Sequence, residues 1–158
     1  MPARRKSTAR RTTARKPTRA KSAKKAAARK APAKAGGGLD GLARKIVRAT
    51  VDPTKFSVTD LYTADCVSEE VAGPAAHGHS GIEQKLRQWE SMQRSTKWKA
   101  RNVVLGRNVI CIEWDAEVTL NDGRVAKLPE VAIHEVKGGK IARERFYYNP
   151  AALAPPQG

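Results

Sequence analysis

Apolar residues recur at helical spacing in three stretches between residues 39 and 95. The first, LDGLARKIVRAT, places four apolar residues near one face and stops ahead of Pro53. A short second helix is predicted from Ser57, because SVTD has an acid three residues after a hydroxyl that can cap a helix. In the third stretch, SGIEQKLRQWESMQR, Ser80 and Glu83 fit a capping box. The apolar stripe of this third helix is expected to face the core and consists of Ile82, Leu86, Trp89 and Met92.

Residues after 95 alternate between apolar and polar side chains, which predicts strands. The four predicted strands are TKWKARNVVL, VICIEWDAEVTL, RVAKLPEVAIHEV and KIARERFYY. Gly106 and the sequences NDG and KGG supply short turns between them, so the strands are expected to form an antiparallel meander. CVSEEVAG, between the second and third helices, predicts an additional edge strand. This order of elements is typical of an α+β fold.

The same alternation divides the predicted sheet into an inner and an outer face. The inner face of the second strand holds Ile110, Ile112, Trp114, Ala116 and Val118. Its outer face is acidic and is expected to lie between two basic rows, where cross-strand ion pairs would form. The acids are Glu113, Asp115 and Glu117, and the bases are Lys97, Lys99 and Arg101 on one side and Arg143 and Arg145 on the other.

Nearly all of the net positive charge lies in the first 38 residues. The formal net charge is +16, and these residues hold 14 Lys and Arg with no acid, which leaves 17 bases against 15 acids elsewhere. They contain no Leu, Ile, Val or aromatic residue, so they cannot bury enough surface to offset the entropy of ordering. We predict a disordered tail and glycine linker over residues 1–38, a folded domain over residues 39–150, and a disordered C-terminal tail over residues 151–158.

A polybasic tail of this kind fits a polyanion, because Lys and Arg release counterions from phosphates. AKSAKKAAARKAPAKA resembles, in composition, the tails of linker histones and of bacterial histone-like proteins. We expect nonspecific DNA or RNA binding; a merely solvated tail and an organelle transit peptide removed near Gly36 are the alternatives. The expected contacts are Arg4, Arg5, Lys6, Arg10, Arg11, Arg15, Lys16, Lys24, Lys25, Arg29 and Lys30.

The sequence also bears on compartment and cofactors. No apolar run approaches the roughly 20 residues that cross a bilayer, and no secretory signal is evident. Cys66 and Cys111 form no CxxC pair, which favours a reduced chain. We predict a cytoplasmic protein, nucleoid-associated if the tail binds DNA, with no membrane contact. His77 and His79 lack a third ligand, and no phosphate loop or HExxH motif occurs, so neither a metal nor a cofactor is predicted.

Three blocks of the sequence carry a family resemblance. They are LYTADCVSEEVAGPAAHGHSGIEQKLRQW, VICIEWDAEV and VAIHEVKGGKIARERFYYNP. Over residues 39–150 they resemble the SnoaL-like, nuclear transport factor 2-like superfamily. The resemblance implies a cone-shaped domain in which a curved antiparallel sheet packs on three helices around a pocket, and a homodimer formed through the sheet. It implies no single reaction, because this fold carries isomerases, cyclases, epoxide hydrolases, dehydratases and binding proteins.

The same resemblance assigns candidate catalytic residues. In the ketosteroid-isomerase branch the carboxylate that moves the proton corresponds to Glu70, and His134 or Tyr148 would then donate to the developing oxyanion. That branch builds its oxyanion hole from a Tyr in the first helix and a protonated Asp in the sheet, for which this sequence shows no equivalent. The Asp-Arg-Asp set of the epoxide hydrolases is missing as well, because the arginines of the strands are predicted to face outward. The predicted pocket lining is Trp98, Asn102, Ile112, Trp114, Glu130, Glu144 and Phe146.

Two functions stay open at this point. In the first, the domain binds a small apolar or amphipathic molecule and carries out proton-transfer or hydration chemistry. In the second, the protein is a non-catalytic, nucleoid- or RNA-associated protein whose folded domain only dimerises. Glu70 as a solvated residue, and Glu130 with His134 as a satisfied polar network, are the structural alternatives to catalysis. A deep cavity at Glu70, Trp114, His134 and Tyr148 would favour ligand chemistry, whereas a filled interior would favour the scaffold.

Overall fold

The computed structural model describes residues 38–155, and everything predicted for the basic tail lies outside these residues. The helices are α1 (Leu39–Val51), α2 (Val58–Leu61) and α3 (Gly78–Met92), with short 3₁₀ helices at Pro53–Lys55 and Pro150–Ala152. The strands are β1 (Tyr62–Glu69), β2 (Ala76–His77), β3 (Gln93–Leu105), β4 (Val109–Leu120), β5 (Val125–Lys137) and β6 (Lys140–Tyr148).

The first two helices form as their sequences predict. The inward stripe of α1 buries Leu42, Ala43 and Ile46. The capping box predicted for α2 is confirmed, because the backbone N–H of Ser57 donates a hydrogen bond of 3.0 Å to the Asp60 carboxylate. Both helices were predictable because spacing and capping are local properties of the chain.

Helix α3 departs from its prediction in two ways. It begins at Gly78 rather than after Ser80, so the Ser80–Glu83 capping box is wrong. Gly78 has a φ of 64°, where the chain turns from β2 into the helix, a conformation that side chains other than glycine rarely adopt. The predicted core stripe is also wrong at Leu86 and Met92, which are exposed, whereas Ile82 is buried.

The strands form one six-stranded sheet in the order β2-β1-β6-β5-β4-β3. The predicted antiparallel meander from β3 to β6 is confirmed. The predicted edge strand is wrong in its place, since β1 lies inside the sheet between β2 and β6 and runs parallel to β6. This parallel pairing brings Ser68 beside Glu144, which the order of elements alone could not show.

The inner face of the sheet carries two apolar clusters. In the first, Leu42 and Ile46 of α1 pack on Ile110, Ile112 and Trp114. The second consists of Ala116, Val118, Leu120, Ala126 and Leu128, against which Trp89, Trp98, Tyr148 and Leu153 pack. Because Leu153 belongs to this cluster, the disordered C-terminal tail predicted from residue 151 is wrong for residues 151–155, and residues 156–158 lie outside the described part.

The outer face carries the predicted ion pairs only in part. Lys97 lies 3.0 Å from Glu117, and Arg101 lies 3.4 Å from Glu113, as the basic and acidic rows of β3 and β4 predict. The second basic row does not face these acids, because β5 lies between β4 and β6. Arg143 and Arg145 instead pair with Glu69 and Glu135, each at 2.7 Å.

A β-bulge changes the face on which one predicted pocket residue lies. Ala100 is opposite Trp114, but Asn102 is opposite Glu113, so Arg101 is an extra residue in β3. Simple alternation would have put Asn102 on the inner face with Trp98. The Asn102 side chain is instead exposed and donates a hydrogen bond to Glu113, so its assignment to the pocket is wrong.

Candidate functional site

A buried carboxylate, Glu144, is the centre of a polar group inside the domain. Ser68 and His134 are its register neighbours on the two strands that flank β6. Its oxygens accept hydrogen bonds from the Tyr62 hydroxyl at 2.9 Å and the Ser68 hydroxyl at 2.8 Å. His134 Nδ1 lies 3.2 Å from Glu144 Oε2, within ion-pair range although the alignment falls short of a regular hydrogen bond. Strands β1 and β5, on either side of β6, therefore supply the partners that a buried charge requires.

These partners explain the ionisation of Glu144. Burial by itself would raise the pKa of this carboxyl, but contact with His134, the charge of Lys85 and the Ser68 hydroxyl lower its pKa to about 2. The same arrangement raises the pKa of the Tyr62 hydroxyl, because burial and the adjacent Glu144 charge both oppose its ionisation. At neutral pH the group holds a carboxylate bonded to a neutral phenol.

Lys85, on the inner side of α3, joins this buried group to a more accessible one. Its Nζ lies 2.6 Å from Glu70 Oε1, donates to Ser68 Oγ at 2.7 Å, and lies 3.6 Å from Glu144 Oε1. The same nitrogen is 3.8 Å from the centroid of the Phe146 ring, a cation–π contact. The side chains of Lys85 and Glu70 are each 22% exposed. Sequence reasoning missed Lys85, although its spacing from Ile82 and Trp89 would have identified it.

Glu130 and Tyr148 form a second pair beside Glu70. They are register neighbours on β5 and β6. Burial raises the pKa of Glu130 to about 8, and the Glu70 charge acts in the same direction, while Lys85 opposes both. Burial and the adjacent Glu70 raise the pKa of Tyr148 to about 12. At neutral pH both groups carry a proton and can donate a hydrogen bond.

Exposure divides the polar residues into a sealed part and an open part. Trp114, His134 and Glu144 are each only 2% exposed, so side chains fill the space around them. Glu70 lines an open cleft of about 300 Å³ together with Val71, Ala75, Phe146 and Tyr147. The cleft forms because β1 ends opposite Arg145 while β6 continues to Tyr148. The space at Trp114 and His134, where a deep cavity was considered, is filled by side chains, and the open cleft lies at Glu70 instead.

The structure brings together most of the predicted site residues. Glu70, Glu130, Glu144 and Tyr148 lie in one electrostatically coupled group, while the catalytic roles assigned to Glu70, His134 and Tyr148 stay predictions. Ile112 and Trp114 are core residues, and Trp98 packs edge-on against Trp114 at 5.7 Å. Phe146 lies under Lys85 and reaches the cleft. Burial raises the pKa of Glu130, so the sheet holds a protonated carboxyl at neutral pH, which only its burial could reveal.

A second cavity of about 310 Å³ lies between the end of α3 and the turn from β4 to β5. Trp89, Met92, Leu120 and Leu153 supply its apolar walls. Its lining includes none of the predicted site residues. Arg124, on its rim, is held by Asp122 and by the carbonyl of Ala154.

The described residues contain neither a cluster of metal ligands nor a membrane-spanning helix. Within residues 38–155, no group of three or more His, Cys, Asp or Glu side chains is arranged to hold a metal ion. His77 is exposed, and His79 Nε2 lies 3.2 Å from the carbonyl oxygen of Tyr62. No helix in this part of the chain is both long and apolar enough to cross a membrane.

Several solved structures share this fold. A proposed SnoaL-like polyketide cyclase from Mesorhizobium loti is 22% identical, with a TM-score of 0.58, and the match covers 70% of this chain and 98% of that one. An NTF2-like protein of unknown function from Burkholderia pseudomallei is 16% identical, with a TM-score of 0.61 and coverage of 73% and 90%. A hypothetical protein with a ketosteroid isomerase-like fold from Catenulispora acidiphila, in complex with trimethylamine, is 14% identical, with a TM-score of 0.64 and coverage of 71% and 88%.

At these identities the solved structures establish the fold alone. None of the functionally curated proteins matches the sequence significantly. The family model of the SnoaL-like domain matches residues 43–144, from α1 to the central carboxylate of β6. The chain therefore belongs to the SnoaL-like domain family.

Proposed function

We propose that the domain binds a small, uncharged carbonyl compound in the cleft at Glu70 and moves a proton on it. The observation that carries the proposal is the ion pair of Glu70 with Lys85, close to a second carboxyl, Glu130, that burial keeps protonated. Glu70 is ion-paired with Lys85 as a carboxylate, and Glu130 keeps its proton at neutral pH. Two coupled carboxyls whose environments favour opposite states are suited to act as base and acid in one reaction.

The two carboxyl groups take complementary roles in this reaction. Glu70 removes a proton from the carbon between the carbonyl and a C=C bond of the ligand. The electron pair of the broken C–H bond forms a C=C bond to the carbonyl carbon, and the π pair of the carbonyl moves onto its oxygen. Glu130 and Tyr148 donate hydrogen bonds to that oxygen as it gains negative charge. Glu70 then returns the proton to the far carbon of the original C=C bond. The electron pair on oxygen re-forms the carbonyl and the C=C bond moves next to it, so the reaction is an isomerisation and needs no other reactant.

His134 receives a different role from the one its sequence position implied. It is almost fully buried and faces Glu144, so it supports the buried carboxylate rather than meeting the ligand. Glu130 and Tyr148, rather than His134, are the proposed hydrogen-bond donors to the oxyanion. Phe146 and Val71 provide apolar cleft surface that favours a ligand with an apolar body.

Hydrogen exchange tests this proposal without knowledge of the natural substrate. Small cyclic ketones are incubated with the protein in D₂O, and loss of the signals of the hydrogens next to the carbonyl is followed by NMR. We expect exchange with the native chain, and a decrease of about 100-fold or more in Glu70→Gln. Glu117→Gln is the matched control, because Glu117 lies outside the cleft and pairs with Lys97 on the outer face of the sheet. Equal exchange in Glu70→Gln and the native chain, or none above buffer for any ketone, would refute the proposal.

We also propose that the basic tail binds nucleic acid without sequence preference and brings the domain to it. The proposal is supported by the composition of residues 1–38, which hold 14 Lys and Arg and no acid. Binding of a DNA duplex and of an RNA duplex is titrated against salt. Replacing Arg4, Arg5, Arg10 and Arg11 by Gln in the full chain should flatten the dependence of log Kd on log salt. An unchanged slope would refute this use of the tail.

A second candidate function is a non-catalytic, nucleoid- or RNA-associated dimer, favoured by the filled interior around Trp114 and His134. Val131 and Tyr147 are exposed register neighbours on the outer face of the sheet, which fits a homodimer packed through the sheet. Val131→Arg should then give a monomer in sedimentation velocity. Val125→Arg, on the same strand and face but at its start, should leave the dimer intact. A monomeric native chain would exclude this function, and doubled tails would otherwise raise nucleic-acid affinity.

A further inference from the structure

We propose that Lys85 is the positioning residue of this site: its ammonium group holds Glu70 at the cleft and ties it to the sealed Glu144 behind. This inference rests on the proposed function, in which Glu70 is the base. It adds a residue from α3 to a site otherwise built from strands β1, β5 and β6. The inference is based on the contacts of the Lys85 nitrogen with Ser68 of β1, with Glu70 just after β1, and with Glu144 of β6.

The Lys85 nitrogen is held by polar contacts and by an aromatic ring. Its two short contacts, 2.6 Å to Glu70 and 2.7 Å to Ser68, are within the range of charge-assisted hydrogen bonds. Ser68 links Lys85 to Glu144, because its hydroxyl donates a hydrogen bond of 2.8 Å to the Glu144 carboxylate. The Phe146 ring closes one side of the ammonium group. These contacts restrict the position of the Lys85 nitrogen, so the ion pair with Lys85 also restricts the position of the Glu70 carboxylate.

The Lys85 charge also affects the two carboxylates that it contacts. The Lys85 nitrogen lies between two carboxylates, 2.6 Å from an oxygen of Glu70 and 3.6 Å from an oxygen of Glu144. Without a cation between them, two such charges in a poorly solvated site would disfavour each other, and one would take up a proton. A protonated Glu70 would be no base. Lys85 thus lets both carboxylates remain charged at the same time.

The titratable groups of the polar cluster around Lys85 lie on several elements of the fold. Glu70 is on the segment after β1, Glu144 and Tyr148 are on β6, Glu130 and His134 are on β5, and Tyr62 is at the start of β1. The Lys85 charge lowers the proton affinity of Glu144 and also that of Glu130, where it acts against burial and the Glu70 charge. Removing the Lys85 charge should therefore raise the pKa of Glu130, which Lys85 affects through space.

The test measures glutamate titration by carboxyl carbon NMR in the full, ligand-free chain labelled at the glutamate side chains. Glu130→Gln identifies the Glu130 signal. In Lys85→Met we expect the Glu130 midpoint to move to higher pH by about one pH unit, and Lys85→Arg should stay near the native value because it keeps the charge. Lys97→Met is the matched control, since it removes a lysine from an exposed ion pair with Glu117 on the outer face.

Each outcome bears on the proposal. A native Glu130 midpoint in folded Lys85→Met would overturn it. Lys85→Gln keeps a hydrogen-bond donor without the charge and carries the test if Lys85→Met does not fold. If neither neutral variant folds while Lys85→Arg does, a cation is required at this position; failure of all three to fold would make Lys85 a structural residue and refute the proposal. Because no ligand is present, failure here is distinct from failure of the exchange experiment, which tests the reaction itself.

Discussion

Replacing Glu130 by Gln should abolish a loss of stability that the native domain suffers between about pH 4.5 and pH 8. The pKa of Glu130 rises from its usual 4.5 to about 8 in the folded state. Below pH 4.5 the carboxyl is protonated in both the folded and the unfolded chain. As the pH rises further, the unfolded chain releases this proton first, so the free energy of unfolding falls until the folded group also ionises near pH 8.

The size of this effect follows from the difference between the two pKa values. Each pH unit contributes about 1.4 kcal/mol, so a window of about 3.5 units gives about 5 kcal/mol as the upper value. Relaxation of the surroundings of the ionised carboxylate reduces it, so we expect about 3 to 5 kcal/mol. This is a large part of the stability of a domain of this size. Glutamine keeps the size of the side chain and cannot ionise, so this contribution is absent in Glu130→Gln.

Urea unfolding followed by tryptophan fluorescence, repeated from pH 4.5 to pH 8.5, measures this contribution. Trp114 provides the signal because it is buried in the folded domain. The native and Glu130→Gln curves should nearly coincide at the acid end and separate as the pH rises, with the variant more stable at pH 8. Glu90→Gln, an exposed replacement on α3, should follow the native curve. Parallel curves for Glu130→Gln and the native chain would refute the reasoning.

Further predictions concern the buried carboxylate, the core and a cap. Glu144→Gln should lower the free energy of unfolding at pH 7 by about 3 kcal/mol or more, measured by urea unfolding, because Lys85 then loses a buried partner. In the native chain the lowered pKa of Glu144 contributes stability above pH 4.5 that is lost as the pH falls towards 2; a native chain equally stable at pH 2.5 and pH 5 would contradict this. Trp114→Ala should cost about 3 to 5 kcal/mol in the same assay, and a cost below 1 kcal/mol would show that the inner face is not packed. Ser57→Ala should cost about 1 kcal/mol, and an unchanged midpoint would contradict the capping role.

The candidate site was predictable only in part. Glu70, Glu130 and Tyr148 follow from the resemblance and from alternation along single strands, because a strand presents every second side chain to the same face. Asn102 was misplaced because a bulge at Arg101 reverses the faces beyond it, and an extra residue leaves no mark in the apolar pattern. Lys85 was missed because lysines are usually solvated, so the apolar stripe of α3 was drawn through Leu86 instead.

What the sequence determined by itself is local or periodic: the α1 stripe, the capping box at Ser57, the alternation of the strands, and the concentration of positive charge in residues 1–38. Spacing, capping and charge depend on neighbours along the chain, so the pattern is enough. Tertiary structure decided the rest. The parallel pairing of β1 with β6 sets Ser68 beside Glu144, and the packing of α3 brings Lys85 between Glu144 and Glu70. The protonation states of Glu130 and Glu144 depend on burial and on partners far away in sequence, which no local pattern contains.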